Sequence, residues 1–193
     1  MSYIVYTTEA IVCGSFLSNT ADKTFLLFTK TAGMLYASAR SVREERSRQR
    51  YALQDFSVIT VSLIKGKSGW RIGSVDGEQN LFAQATSREA RGSIVRVLKL
   101  IRRYVQGEEA HPEFFAECKA ALVHLAATEV SDRPLAEEII VARILYELGY
   151  MSDTPQLMSL YTLDLPTVLT TTLPAVLPAL QTATAQALAV SHL

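Results

Sequence analysis

The sequence predicts an α+β protein, with a small five-stranded β-barrel followed by an all-helical domain. Three observations predict it. Residues 3 to about 82 form β-branched and aromatic runs separated by glycine-containing turns. After Thr86 the apolar residues recur at helical spacing instead. Five strands in that length are too few for a two-sheet sandwich, but they can close into a barrel and so remove exposed sheet edges.

Each element has its own signal. Residues 3–13 are rich in β-branched and aromatic side chains. Lys23–Thr29 is short and apolar, Thr31-Ala32-Gly33 is a turn, and residues 34–39 return, so these two strands form a hairpin. Residues 56–65 are a long β-rich run, turned by Gly66-Lys67-Ser68-Gly69 into residues 70–76. The five-stranded barrel that best fits this series is the OB-fold. Thr86 and Glu89 form a capping box for a helix over residues 88–105, with Ile94, Val97, Leu98, Ile101 and Val105 as its apolar stripe. Pro112 opens a second helix that buries Phe115, Cys118, Leu122 and Leu125. Asp132 caps a third, over residues 133–148, ended by Gly149. After Asp164 there is no charged residue, and Leu173, Val176, Leu177, Leu180, Thr184, Ala187 and Leu188 fit a packed amphipathic helix. The expected division is a barrel over residues 1–82 and a helical domain over 83–193.

Nineteen basic and nineteen acidic residues cancel, but they are segregated along the chain. Residues 1–107 hold 16 basic and 8 acidic side chains, and residues 108–193 hold 3 and 11. The front of the chain is therefore expected to attract polyanions. Five arginines, Arg40, Arg43, Arg46, Arg48 and Arg50, lie in the connection between strands three and four. No apolar stripe pins that connection, so the sequence predicts a mobile loop. Lys65, Lys67 and Arg71 flank the next hairpin with Trp70 among them, and Lys23 begins strand two. Arg96, Lys99 and Arg103 share the polar side of the first long helix, with Arg102 beside them. Guanidinium groups fork onto phosphate oxygens, and an accessible aromatic face stacks on an unpaired base. That residue set predicts a sequence-tolerant single-strand binder.

The same residues bring a family into view. The order Thr8-Glu9-Ala10-Ile11-Val12, Ala21-Asp22-Lys23, Leu27-Phe28-Thr29, Gly33 and Ala39-Arg40 resembles the N-terminal OB domain of the bacterial recombination mediator RecO. Ala52-Leu53-Gln54-Asp55-Phe56-Ser57 is similar to that family's Leu-Gln-Pro-Phe signature, and Tyr146-Glu147-Leu148-Gly149-Tyr150 to the Leu-Gly-Tyr of its helical domain. The resemblance covers roughly residues 4–150. It implies a non-enzymatic DNA repair and recombination protein that binds single- and double-stranded DNA and anneals strands. It also implies action with RecR and the single-strand-binding protein SSB to help load RecA. The DNA surface it implies maps onto Lys23, Arg40, Arg43, Arg46, Arg48 and Arg50, then onto Arg71 and the Arg96–Arg103 helix. The chain departs from the family pattern at Asp55, where the signature has proline, and at Ser41, where glycine is usual. The four-cysteine zinc cluster of many members is absent, and no cysteine follows Tyr150. Zinc-free members exist in the family.

Other chemistry is not expected. Gly66-Lys67-Ser68 lacks the glycine of a phosphate loop five positions earlier, where Val61 stands. His124 sits on a helix with no Cys or Asp partner at motif spacing and reads as structural. Cys13, Cys118, His111, His124 and His192 make no zinc pattern. Glu108-Glu109 and Glu137-Glu138 read as solvated helix ends and faces. No cofactor, metal or membrane partner is expected. With no basic segment ahead of an apolar one at the start, and only Cys13 and Cys118 far apart, the expectation is a reduced, cytoplasmic protein. Two further readings use the same barrel: a protein-interaction module with weak or no DNA binding, and an RNA binder.

Overall fold

The computed structural model describes residues 5–152, 157–171 and 176–190. The predicted strand start at residue 3, the stretch 153–155 after Tyr150, Thr172, Leu173, Pro174 and His192 lie outside them. The chain divides into two compact units. One is Met1–Gln84 with Val105–Lys119; the other is Ala85–Tyr104 with Ala120–Leu193. The chain therefore crosses between units at three points, where the sequence suggested a single junction near residues 80–87.

The first unit holds five strands, β1 (Val5–Leu17), β2 (Lys23–Thr29), β3 (Gly33–Ala39), β4 (Ser57–Gly66) and β5 (Gly69–Asn80), closed in the order β1-β2-β3-β5-β4. All pairings are antiparallel except the short parallel one between β3 and β5. This is the five-stranded barrel with following helices that the β-rich runs predicted. Its core is an alternating set: Ala10 and Val12 from β1, Phe25 and Leu27 from β2, Leu35, Ala37 and Ala39 from β3, Ile59, Val61 and Leu63 from β4, and Trp70 and Ile72 from β5. Period-two alternation is what places one side chain in two inside a barrel.

Strand β1 runs four residues beyond its expected end. Its pairing with β2 shifts register between Val12 and Gly14, so the strand bends and continues to Leu17. A bulge of this kind adds twist and breaks the alternation that sequence reading relies on. The short helix α1 (Gln49–Ala52) joins β3 to β4, and α2 (Leu81–Gln84) follows β5.

The segment after Tyr104 returns to the barrel. Gly33 opens β3 at φ +63°. An added Cβ there would meet the Gly107 carbonyl oxygen at 2.6 Å and the Glu109 nitrogen at 2.7 Å, with the Glu109 carbonyl oxygen nearer still. The Met34 N–H donates to the Gly107 carbonyl at 2.9 Å. Phe28 then packs against Phe114 and Phe115 at the start of α4 (Pro112–Ala127), with ring centroids 6.0 and 5.2 Å away. Gly33 thus satisfies two needs at once, a left-handed turn and a close backbone approach.

The second unit contains α3 (Arg88–Tyr104), the end of α4, α5 (Arg133–Glu147), α6 (Met158–Thr162), α7 (Leu165–Thr171) and α8 (Leu177–Val190). The predicted stripe of α3 is buried at Ile94, Val97, Leu98 and Ile101. The cap is one residue later than the capping box suggested: the Ser87 hydroxyl accepts the Ala90 N–H at 3.1 Å. The helix begins at Arg88, so its third N–H belongs to Ala90, and the residue before Arg88 is placed to satisfy it. Helix α8 buries Leu180, Thr184 and Ala187, and Tyr104, Leu145 and Ala187 share a core with Leu100, Val141, Leu148, Tyr150, Met151 and Leu188 flanking it. No helix among the described residues is long and apolar enough to cross a membrane. Cys13 and Cys118 are both buried.

Glu137 is not the solvated acid that its sequence neighbourhood suggested. It accepts from Ser93 at 2.6 Å and from both Arg96 Nε and Nη2. Burial alone would raise its pKa, but the bonds from Arg96 and Ser93 outweigh burial and hold it below its ordinary 4.5. A depressed folded value means stability that is present above the unfolded value and lost as the pH falls through the folded one.

Two outcomes follow from this packing. Gly33→Ala is expected to lower stability by more than the roughly 1–2 kcal/mol of a left-handed residue, because backbone atoms block the new Cβ. Gly69→Ala, at φ +101° but facing open space, is its control and should cost less. Urea midpoints of the two variants decide; equal losses would contradict the close approach. Glu137→Gln is expected to cost about 1 kcal/mol at neutral pH. That difference should close as the pH falls below 4.5. Denaturant titrations of both proteins across pH check it, and a constant gap would show that the pair contributes nothing.

Candidate nucleic-acid interface

The arginine-rich connection between β3 and β4 is anchored, not loose. Val42 is only 2% exposed and Leu53 4%, and both join the barrel core. Ser41 takes φ +52°, the left-handed conformation that favours glycine, at the position where the resembled family usually has one. Its N–H donates to Asp22 Oδ1 at 2.7 Å. Arg43 donates through its backbone to the Ala21 carbonyl at 3.1 Å and through Nη1 to the Thr20 carbonyl at 2.6 Å. Asn19 closes the neighbouring β1–β2 turn by accepting the N–H groups of Ala21 and Asp22 and donating to the Asp22 carboxylate. The two loops are therefore stitched by backbone bonds. A single buried valine in a polar stretch gives no periodic signal, which is why the sequence suggested mobility.

These bonds also set the local acids. The Ser41 N–H and then the Asn19 amide hold Asp22 below the ordinary carboxylate range, with Arg40 contributing from further away. The Ser41 hydroxyl and Arg46 do the same for Glu44. Both carboxylates stay ionised among the arginines.

Several predicted contacts are spent inside the protein. Trp70 is 7% exposed, with the Tyr6 ring edge-on at 5.4 Å and the Lys65 ammonium 4.8 Å from its centroid. Trp70 therefore is no stacking platform, because its position in β5 points into the barrel. Lys65 is paired to Glu108 at 2.7 Å and holds the Glu108 carboxyl low. Arg46 is paired to Glu44 at 2.8 Å, and Arg96 to Glu137. Arg50 lies over the exposed Tyr51 ring at 4.7 Å and donates to its hydroxyl at 2.6 Å. Arg103 lies over Tyr104 at 5.4 Å.

What remains on the barrel unit is a smaller set. Arg40 and Arg48 are exposed in the β3–β4 connection, Lys67 sits at the tip of the β4–β5 hairpin and Arg71 follows on β5. Arg48, Lys67 and Arg71 form no ion pair with a described carboxylate. Lys23, at the start of β2, is partly buried. In the second unit, Lys99 is exposed on α3 and likewise forms no such pair.

The segregation of charge along the chain does not survive folding. Val105–Lys119 brings Glu108, Glu109, Glu113 and Glu117 to the barrel unit, with only Lys119 basic. That unit then holds eleven basic and eleven acidic residues, and the other holds eight of each. Lys119 itself bridges Glu78 at 2.8 Å and Glu9 at 3.4 Å. Any attraction for a polyanion is therefore local to the exposed arginines and Lys67.

Sequence reading missed the exposed aromatics. Phe16 is 52% exposed and Tyr36 59%, with ring centroids 5.9 Å apart. Tyr36 was legible, since Leu35, Ala37 and Ala39 alternate around it as core residues. Phe16 was not, because it follows the β1 bulge.

No family model matches the chain. Two curated proteins from Desulfitobacterium hafniense, strains DSM 10664 / DCB-2 and Y51, are each 26% identical to it over 146 residues, covering 76% of this chain and 52% of theirs. Both are named DNA repair protein RecO. The chain spans about half the length of these relatives, and over three quarters of its own residues it is RecO-like, in agreement with the motifs of its barrel and its α5 terminus.

Proposed function

We propose that this chain is a non-enzymatic DNA-binding protein of repair and recombination, and that its barrel unit carries the strand. The supporting observation is the set Arg40, Arg48, Lys67 and Arg71, exposed on the barrel and its rim in a protein similar to ones named DNA repair protein RecO. Guanidinium groups on an anchored loop lose little freedom on meeting a phosphate, which favours Arg40 and Arg48 as contacts. Arg43 holds the loop in place, and Arg46 is a weaker contact because Glu44 already engages it. Lys99, Arg102 and Arg103 on α3 are a second set of candidates. Annealing of complementary strands and action with RecR and SSB belong to the same proposal. Among the described residues no cluster of three or more His, Cys, Asp or Glu could hold a metal ion.

The protein-interaction reading has one observation of its own, the exact balance of charge within each unit. It predicts capture of SSB without measurable affinity for DNA.

A titration of labelled single-stranded DNA at several salt concentrations tests the proposal. The logarithm of affinity should fall with the logarithm of salt at about 0.7 per neutralised phosphate, giving a slope near 3 for four contacts. Gln at Arg40, Arg48, Lys67 and Arg71 together should flatten that slope and weaken binding, leaving thermal stability within about 0.5 kcal/mol. No binding at low salt, or an unchanged slope in the variant, rejects the reading.

A further inference from the structure

The outer face of the barrel carries an aromatic feature that phosphate contacts do not use. Strand register aligns Phe16 on β1 with Thr24 on β2, Thr24 with Ser38 on β3, and Ser38 with Arg71 on β5. The row spans three strand spacings, roughly 14 Å. Tyr36 stands one step along β3, opposite Leu26, and its ring meets that of Phe16 at 67°. An edge-on pair sets one ring's edge against the other's face and does not stack the two faces together. Both rings are more than half exposed, whereas Leu26 beside them is 7% exposed and forms the floor. The side chains between the rings and Arg71 are a threonine and a serine, short enough to leave the face shallow.

The charged side chains on this stretch of the strands are cationic, and the ionised Asp22 carboxylate lies near Arg40 at the rim. Arg71 ends the row, and Arg40 continues the outward series Tyr36, Ser38 at the end of β3. No acid occupies an outward position of β1 after Gly14, of β2, of β3 or of β5 before Asp76. Asp22, the residue before β2, is held by the Ser41 N–H and the Asn19 amide. Flat apolar rings flanked by arginines complement a polyanion that carries flat apolar groups, and an unpaired nucleic-acid strand is such a molecule.

We propose that Phe16 and Tyr36 form a base-stacking site for single-stranded DNA, with Arg71 and Arg40 holding the adjoining phosphates. The proposal rests on the DNA-binding reading and deepens it: the strand is taken unpaired, because duplex bases offer no free face to a ring on the protein surface.

The test uses the full chain and the double variant Phe16→Leu/Tyr36→Leu, which keeps apolar bulk and removes both rings. Three labelled probes are titrated: oligothymidine, an abasic strand of equal length, and a duplex. The wild type should bind oligothymidine more tightly than the abasic strand. The double variant should lose affinity for oligothymidine on the order of tenfold or more, with an unchanged salt slope and unchanged binding of abasic strand and duplex. Equal losses on oligothymidine and abasic strand, or no loss on either, overturn the stacking site while leaving DNA binding intact. Absence of any binding by the wild type removes the broader reading instead. A wild-type preference for an RNA oligomer of equal length overturns the assignment to DNA. Sedimentation of both proteins covers the remaining occupant: if the wild type dimerises and the variant does not, with oligothymidine affinity unchanged, the face joins two copies and the stacking proposal is wrong. If the double variant melts early, Tyr36→Leu alone, more than half exposed on a regular strand, repeats the comparison.

Discussion

Barrel closure depends on one strand, β1, which pairs with β4 along its first half and with β2 along its second. Ala10 and Ile11 lie where the two pairings overlap, each facing a partner on both sides. A flat strand cannot turn from one neighbour to the other, and the register shift between Val12 and Gly14 supplies the bend. Everything at the rim follows from it. The residues after the bulge extend beside β2, the β1–β2 turn falls next to the β3–β4 connection, and the Asp22–Ser41 and Arg43–Thr20 bonds become possible.

The segment Val105–Lys119 is the second constraint. It reaches the β2–β3 hairpin through Gly33 and the Met34–Gly107 bond, then buries Phe115 against Phe28. It also carries the acids that cancel the barrel's excess of base, through Glu108 on Lys65. One short stretch thus closes packing and adjusts charge. The electrostatic consequence is a barrel unit of zero net charge whose basic character is confined to a few exposed side chains. Binding by such a surface would be short-ranged, set by direct contacts within about a Debye length and not by steering from afar.

Much of the fold was legible because it is written in local periodicity. The short apolar run Lys23–Thr29, the turn at Gly33 and the return over residues 34–39 marked the hairpin, and the 3.6-residue spacing of Ile94, Val97, Leu98 and Ile101 marked α3. The two departures from the RecO-like motifs have physical readings. Ser41 adopts the left-handed conformation and uses its own N–H and hydroxyl to hold Asp22 and Glu44 in place. Asp55 stands where a proline would sit, and among the described hydrogen bonds none uses its N–H, so the exchange sacrifices no bond.

The sequence by itself determined the five strands, the long helices and their buried stripes, since each of these rests on neighbours within a few residues, and the number of strands and the order of motifs pointed to a closed barrel and to RecO. Only the tertiary structure decided which cations stay free, that Trp70 faces inward, and that Phe16 and Tyr36 share one outer face. Those outcomes join residues 65 with 108, 96 with 137, and 16 with 36. Such pairings are set by strand closure and register after collapse, and no local spacing rule encodes them.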